Sequence, residues 1–313
     1  MEVFKKQTKI DFLAKRNLAF VFSGVLVLIS IVSLATRGLN FGLDFTGGTL
    51  IELGYEQPVD LAEVRQSLEK AGFKDPVVQH FGTVHDVMIR LAPQEGTDNK
   101  ELSTAVVEAL KGASSAIFEI RRVEFVGPQV GEELAEDGGL AVLYAMICIF
   151  IYVFFRFEWR FSAGAVVALF HDVIITLGVF SVLGMDFDLT VLAAILAIIG
   201  YSLNDTIVVF DRIRDNFRKM RKETSVEIMN SSMNQTLSRT IMTSFVTLLT
   251  VIALFFFGGE LLRGFSSALI VGIVIGTYSS IYIASALALL LGVSRSEMTP
   301  VKKEAIETES ETP

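Results

Sequence analysis

Hydrophobic positions in this 313-residue chain fall into six long blocks, and the short alternating runs of a water-soluble core are confined to one stretch. A window of about 20 residues, the length needed to cross a hydrocarbon layer as a helix, places the blocks near Leu18–Ala35, Gly139–Phe155, Phe161–Leu183, Leu189–Phe210, Thr240–Phe257 and Phe265–Leu291. Each predicts a transmembrane helix. No proline lies between Pro128 and Pro300, so helices two to six are expected to run without a proline kink. The stretch after the first block has a different period. Thr49–Tyr55 alternates as a strand, Leu61–Ala71 has the spacing of an amphipathic helix, and Val77–Phe81 and Val87–Leu91 read as short strands around a turn. Lys100–Leu110 is a second helix and Ala116–Val126 a final strand. The order βαββαβ suits a ferredoxin-like sandwich of two helices on an antiparallel sheet.

The fourth block breaks its own pattern. Asp205 stands inside an otherwise apolar run from Leu189 to Phe210. An ionised carboxylate at the middle of a membrane helix costs about 2.5–3.5 kcal/mol on insertion scales, so it is expected to face a protein interior or an aqueous path. A carboxylate in such a place is suited to carrying protons. A transporter-like machine is implied.

Charge sets the orientation. The net charge of -8 hides a division. Acid gathers between Thr36 and Asp137 and in the tail Glu304–Glu311, whereas base gathers at Lys5, Lys6, Lys9, Lys15 and Arg16, at Arg156 and Arg160, and along Arg212–Lys222. If the helices alternate, those basic segments share one side, which the positive-inside rule makes cytoplasmic, with both termini there. The first block follows a basic segment as a signal peptide would, but it is too long and lacks a good small-residue cleavage pattern; it reads as a retained anchor. Cys148 is the single cysteine, so no intrachain disulfide is available to the outer domain.

These observations predict an α-helical polytopic membrane protein: six transmembrane helices, with one periplasmic α+β (ferredoxin-like) domain inserted after helix one. The expected divisions are 1–36 for the cytoplasmic N-terminus and helix one, 37–137 for the periplasmic domain, and 138–293 for helices two to six. A cytoplasmic amphipathic loop is expected over 211–238, where Ile213, Phe217, Met220 and Val226 alternate with Arg and Lys; an extension of helix four is the competing reading. The segment 294–313 is expected to be a disordered cytoplasmic tail.

Polar residues inside the helices form rows. In helix five, Gln235, Arg239, Thr243 and Thr247 recur every four residues, with Thr250 three later, and such a row should face other helices. Helix four places Asp205 about 9 Å above its inner end at 1.5 Å per residue, and helix five begins on that side with Arg239. The two charges can lie at comparable depth, where pairing would offset part of the burial cost; snorkelling to headgroups is the alternative for Arg239. In helix three, Gly164, Ala168, Asp172 and Thr176 form another row. His171 beside Asp172 could relay protons, although neighbours on a helix point about 100° apart, and a packing hydrogen bond is the plainer role. Helix six carries Gly272, Gly276, Ser280, Ala284, Ala288 and Gly292 at four-residue spacing, a packing surface with no chemistry expected in it. No phosphate loop, dinucleotide fingerprint, nucleophile elbow or metal-ligand cluster is present, and no nucleic-acid partner is expected.

Two segments are specific enough to suggest a family. Phe41-Gly42-Leu43-Asp44-Phe45-Thr46-Gly47-Gly48 precedes the first strand, where the glycine pair permits a tight turn, and Ile199–Arg214 runs through helix four with Asn204-Asp205-Thr206 at its centre. Both resemble the SecD/SecF family of protein-export membrane proteins, in the resistance–nodulation–division superfamily, and the resemblance covers essentially the whole chain. It implies a SecF-type half that pairs with SecD in a twelve-helix unit, and further partners in the SecYEG channel, SecA, YajC, YidC and an unfolded preprotein. It implies a bacterial inner-membrane motor coupled to proton movement, or to sodium as in some marine relatives, with no other cofactor and no enzymatic activity. Asp205 and Arg239 match the family's ion-coupling positions; Asn204, Thr206, Thr243, Thr247, His171 and Asp172 would support them.

Three other readings compete. A small-molecule or lipid exporter of the same superfamily would usually carry larger outer domains and both halves in one chain. An intramembrane aspartyl protease would need Asp172 and Asp205 to share a proton, but the Gly-x-Gly-Asp motif is absent. A passive scaffold would be indifferent to the charge at Asp205.

Overall fold

The computed structural model describes residues 8–74, 76–93, 99–113 and 117–294. The expected tail from residue 295 onward, and Lys5 and Lys6, lie outside the described residues. A 3-10 turn leads into α1 (Arg16–Thr36), followed by β1 (Asn40–Phe41), α2 (Leu43–Thr46), β2 (Gly48–Tyr55), α3 (Leu61–Lys70), β3 (Val77–Phe81), β4 (Thr83–Leu91), α4 (Asn99–Ala113) and β5 (Phe118–Val126). Then come α5 (Pro128–Arg156), α6 (Trp159–Leu183), β6 (Asp186–Phe187), α7 (Leu189–Lys219), α8 (Ser225–Phe257), α9 (Arg263–Ser279), a π-turn (Ser280–Ala284) and α10 (Ser285–Leu290). Six helical stretches are long and apolar enough to span a membrane: Leu13–Thr36, Pro128–Arg156, Trp159–Leu183, Leu189–Lys219, Ser225–Phe257 and Glu260–Leu290.

After β1 and α2, which the hydrophobic pattern does not predict, the elements from β2 to β5 follow the βαββαβ order read from the sequence. Their sheet is antiparallel, with strand order β3-β4-β2-β5. One face carries the core: Ile51 and Leu53 of β2, Val87 and Ile89 of β4, Val64 and Leu68 of α3, and Leu102 and Val106 of α4 are all buried together. The opposite face, with Glu52, Gln79, Arg90, Arg122 and Glu124, is polar and lines a cleft of about 460 Å³ shared with the α6–α7 connection and Glu260.

The glycine pair explains how this domain joins the helices. Gly47 and Gly48 have φ of 66° and 120°, and a Cβ on Gly48 would overlap the Leu91 carbonyl oxygen. On either side of them the chain is fastened down. β1 pairs in parallel with β6, and Asp44 Oδ2 accepts from the Leu189 N–H at 3.0 Å, capping α7 from outside. Asp188 Oδ1 accepts from Val191 N–H at 2.8 Å, so two carboxylates stand at the positive end of that helix. Asp186 completes the fastening: it accepts from Asn40 and Gln79 and pairs with Arg90 at 3.8 Å.

Inside the bundle α7 is central, packing against α6, α8 and α9, while α1 packs on the far side of α6. Small residues set these approaches. A Cβ on Gly178 of α6 would overlap Ser30 of α1; one on Gly164 would come within 2.7 Å of the Ala284 carbonyl oxygen. Close approach through small residues is the expected substitute for hydrophobic driving force in lipid. By contrast α5 exposes Leu143, Tyr144, Ile147, Phe150, Ile151 and Phe154, the composition of a lipid-facing surface.

Two expectations need correction. The segment 211–238 is not a loop: α7 runs to Lys219 and α8 begins at Ser225, with Thr224 and Glu227 forming a capping box. Its apolar residues Ile213, Phe217, Ile228, Met229 and Met233 are buried in the main core, so the amphipathic pattern marks the seam of a helical hairpin and not a membrane-surface face. Asn216 clamps that seam by donating to Ser232 Oγ at 2.8 Å and Gln235 Oε1 at 3.1 Å. The second correction concerns 128–137, expected at the end of the outer domain; these residues form the first turns of α5, started by Pro128.

Gly178→Leu should therefore disrupt the α1–α6 contact and lower stability by about 1–3 kcal/mol or more. Gly200→Leu, at a site with nothing within 4 Å of the added Cβ, should leave the isolated chain as stable or slightly more so. Thermal unfolding of the two purified variants in detergent checks the contrast.

Candidate functional site

Asp205 sits on the buried side of α7, 7% exposed. Its Oδ1 accepts from Thr240 Oγ1 of α8 at 2.7 Å. Its Oδ2 is buried and has no hydrogen-bond partner. Ser280 of the π-turn stands beside it, and Ser280 Oγ lies 3.0 Å from Thr206 Oγ1, the residue next to Asp205. Three helical segments thus meet at one carboxylate with hydroxyl groups and little else.

Asp172 on α6 is more enclosed still, at 1% exposure. Oδ2 accepts from Ser202 Oγ of α7 at 2.5 Å and from Ser279 Oγ of α9 at 2.7 Å, and Oδ1 lies 2.9 Å from His171 Nδ1. His171 and Asp172 are both buried although they are adjacent, because α6 is covered on one side by α1 and on the other by α7 and α9. The predicted row Gly164, Ala168, Asp172 and Thr176 is wholly buried. Asp172 and Asp205 share no hydrogen bond, each being held by its own hydroxyls, so the paired geometry of an aspartyl protease is not formed.

Arg239 does not pair with Asp205 as expected. It is exposed, it forms no salt bridge with the carboxylate, and its charge acts on Asp205 only from longer range. The reason is angular. Thr240 occupies the inward position, and its neighbour is turned about 100° away. The whole expected row follows Arg239 outward: Gln235, Thr243 and Thr250 are exposed and Thr247 is half-buried. Thr243 and Thr247 spend their hydroxyls on their own helix, on Arg239 O at 3.1 Å and Thr243 O at 2.8 Å. The inward row of α8 is one residue over, at Ser232, Thr236, Thr240 and Ser244. Asn204 is exposed as well, on the α7 surface that includes Ala193, Ala197 and Gly200.

Four contributors were not singled out from the sequence: Thr240, Ser202, Ser279 and Ser280. Ser202 and Thr206 flank Asp205 at four-residue spacing on α7, which is a usable signal. Ser280 lies in the row read as packing only; Ser279 and Ser280 are consecutive and so point about 100° apart, one to Asp172 and the other to Thr206 beside Asp205. Ser285 Oγ donates to the Ser280 carbonyl at 3.2 Å, satisfying an oxygen that the irregular turn releases. Among the described residues, no group of three or more His, Cys, Asp or Glu is placed to hold a metal ion.

Helices long and apolar enough to span a membrane, joined among the described residues to a small α+β domain, define a multi-pass membrane protein with carboxylates held inside its bundle. Residues 105–294 match the family described as protein export membrane protein SecD/SecF, C-terminal, and residues 32–59 match the SecD/SecF GG motif. The chain belongs to the SecD/SecF family. It is 54% identical over 308 residues to the protein translocase subunit SecF of Vibrio alginolyticus, covering 98% of each chain, and 53% identical to that of Pseudomonas aeruginosa, covering 93% of this chain and 94% of the relative. The crystal structure of SecDF from Thermus thermophilus, a translocon-associated membrane protein, superposes with a TM-score of 0.84 at 37% identity over 92% of this chain. SecDF in its super-membrane-facing form gives 0.69 at 38% identity. The chain spans 39% of the length of those SecDF chains.

Thr240→Val removes the hydrogen bond that Asp205 Oδ1 accepts and should destabilise the bundle by about 1–3 kcal/mol. Thr243→Val, whose hydroxyl serves only its own backbone, should change stability by less than about 0.5 kcal/mol. Paired thermal melts of the purified variants test this.

Proposed function

We propose that this chain is the SecF-type half of an inner-membrane complex that couples proton movement to late-stage export of preproteins through the Sec channel. The observation that carries the reading is Asp205: a carboxylate 7% exposed in the bundle, bonded at one oxygen and unpartnered at the other. Ionised, it accepts from Thr240. Protonated, it gains a donor on Oδ2, and the hydrogen-bond pattern among α7, α8 and the π-turn must change with it. One charge crossing 100 mV supplies about 2.3 kcal/mol, comparable with the cost of exchanging such bonds. Sodium in place of the proton is the variant of this reading that hydroxyl-rich surroundings favour.

SecD is the proposed partner. The SecDF relatives are more than twice as long as this chain, which accounts for 39% of their length. The outward surface of α7 and α8 fits a partner's helices: Ala193, Ala197 and Gly200 allow close approach, and Asn204 and Arg239 are polar groups that lipid would leave unsatisfied. Arg239 then acts across that junction. SecYEG, SecA, YajC, YidC and the preprotein are proposed as further partners on the strength of the relatives' Sec naming alone.

The proposed orientation puts both termini in the cytoplasm and the ferredoxin-like domain in the periplasm, with the divisions 1–36, 37–127, 128–293 and 294–313. The strand order and the two helices on one sheet face support the ferredoxin-like description. Basic residues support the orientation: Arg156 binds Asp211 at 2.7 Å and Arg214 lies 3.4 Å from Glu158, so the α5–α6 turn and the foot of α7 form one basic end, away from the sheet.

Gradient-driven completion of export in vesicles carrying Asp205→Asn, with an uncoupler control, tests the reading. The gradient-dependent component is expected to fall to the uncoupled level while the complex with SecD still assembles. Unchanged export would reduce Asp205 to a packing residue.

A further inference from the structure

The bundle holds a second ionisable pair that the export reading leaves unused. Both oxygens of Asp172 have partners: Oδ1 faces His171 Nδ1 at 2.9 Å, and Oδ2 takes Ser202 Oγ at 2.5 Å and Ser279 Oγ at 2.7 Å. An ionised carboxylate only accepts, so each of these contacts is a donor turned towards it. The same contact fixes the ring. Nδ1 carries the hydrogen, and Nε2 keeps its lone pair. That Nε2 is buried and has no hydrogen-bond partner, on a side chain only 6% exposed.

An acceptor left bare in an apolar interior is costly unless it has a task. We propose that His171 Nε2 is a proton-binding site of the bundle, with Asp172 as the fixed anion that orients the ring and balances the imidazolium. The step is a single proton transfer. A hydrated proton gives its proton to the Nε2 lone pair, an N–H bond forms, water is released, and the His171–Asp172 pair passes from a net charge of −1 to neutral. The reverse transfer restores it. The arrangement differs from the simpler relay in which the aspartate carries the proton, because Asp172 has no vacant oxygen and His171 has a vacant nitrogen.

Among the described residues, no lysine or arginine side chain is buried around the ring. The ionisable groups on the buried faces around the ring are Asp172 on its own helix, Tyr278 on α9, Tyr282 on the π-turn and Asp205 on α7. Tyr278 stands with its ring centroid 6.4 Å from that of His171, but its hydroxyl is committed, donating to the Ala19 carbonyl at 3.0 Å and lying 3.1 Å from Ser23 Oγ. Tyr282 stacks on Tyr278 at 5.3 Å. The buried residues of α1 are Ala19, Ser23, Ser30 and Ser33, those of α5 are Gly131, Gly138 and Val153, and those of α10 are Ser285, Ala286 and Ala288; none of them ionises.

The site is tied to Asp205 by adjacent residues of one turn. Ser279 binds Asp172, and Ser280 contacts Thr206 and stands beside Asp205. On α7 the same division holds, with Ser202 on Asp172 and Thr206 on Ser280. A change of charge at His171–Asp172 is therefore felt at the π-turn that also contacts the coupling carboxylate. Only this consequence rests on the export reading; proton binding at His171 does not.

The test uses the chain in its membrane complex, with His80→Gln and His85→Gln leaving His171 as the chain's remaining imidazole, and selective ¹⁵N-histidine labelling of this chain. The ring is expected as the Nδ1–H tautomer with a bare Nε2, gaining a proton at Nε2 on acidification. Asp172→Asn is expected to release the ring from that single tautomer, because the fixed anion facing Nδ1 is gone. An Nε2–H tautomer, a ring that stays neutral throughout acidification, or a tautomer unmoved by Asp172→Asn would overturn the proposal. Unchanged export in Asp205→Asn would instead overturn the coupling role and leave the His171 site standing.

Discussion

A carboxylate inside a lipid-spanning bundle has no water to fall back on, and its partners must come from neighbouring helices. Much of this chain's interior follows from that constraint. Hydroxyl side chains are the donors short enough to sit between closely packed helices, and they reach a carboxylate only if the backbones are close. Gly276 shows the dependence: a Cβ there would stand 3.0 Å from Ser202 Cβ and 3.5 Å from Asp172 Oδ2, in the space the Ser202–Asp172 bond needs. The small-residue rows and the buried carboxylates are thus one design. Removing bulk from the helix surfaces is what lets charge be held inside them.

The same helix that carries Asp205 is held at its far end by the segment leading into the sheet. Asp44 caps α7, Gly47 and Gly48 turn the chain into β2, and Gly131 of α5 packs so closely that a Cβ there would lie 2.9 Å from Gly47 N. From Leu189, whose N–H Asp44 caps, to Asp205 there is a continuous α-helix with no proline or break. A tilt or shift of α7 at the carboxylate therefore reaches the sheet through a stiff rod and a hydrogen-bonded cap. The cap ties the family's glycine motif to the candidate coupling site by structure and not merely by shared sequence.

Much of this was legible from hydrophobic period alone. Six blocks gave six spanning helices, and the alternating stretch gave a βαββαβ unit whose strand limits agree within a few residues. What periodicity could not settle was which of two adjacent polar rows on α8 turned inward. Ser232, Thr236, Thr240 and Ser244 have the same four-residue spacing as Gln235, Arg239, Thr243 and Thr247, so spacing alone does not rank them. The row with the visible charge, Arg239, faces out of this chain, and the uncharged row holds the donor to Asp205. The π-turn was hidden for a related reason: Ser280 to Ala284 have an ordinary helical composition, and nothing in their spacing marks the wider turn. The stretch 211–238 misled because an amphipathic helix against a membrane and one against another helix carry the same pattern.

The misplaced row has a physical meaning of its own. In this chain alone, Asn204, Arg239 and Thr243 lie on the bundle's outside, where hydrocarbon would leave a guanidinium and an amide without partners. Arg239 is also a helical step from Thr240, the donor to Asp205, so any surface that covers Arg239 stands within electrostatic reach of the carboxylate. The half-empty hydrogen bonding of Asp205 and the outward arginine are therefore two sides of the same incompleteness. A single half can bury its carboxylate but not its counter-charge, and a second helical half packed on α7 and α8 would enclose both. On the proposed reading, coupling would be a property of that junction, with Asp205 just inside one face and Arg239 facing the partner across it.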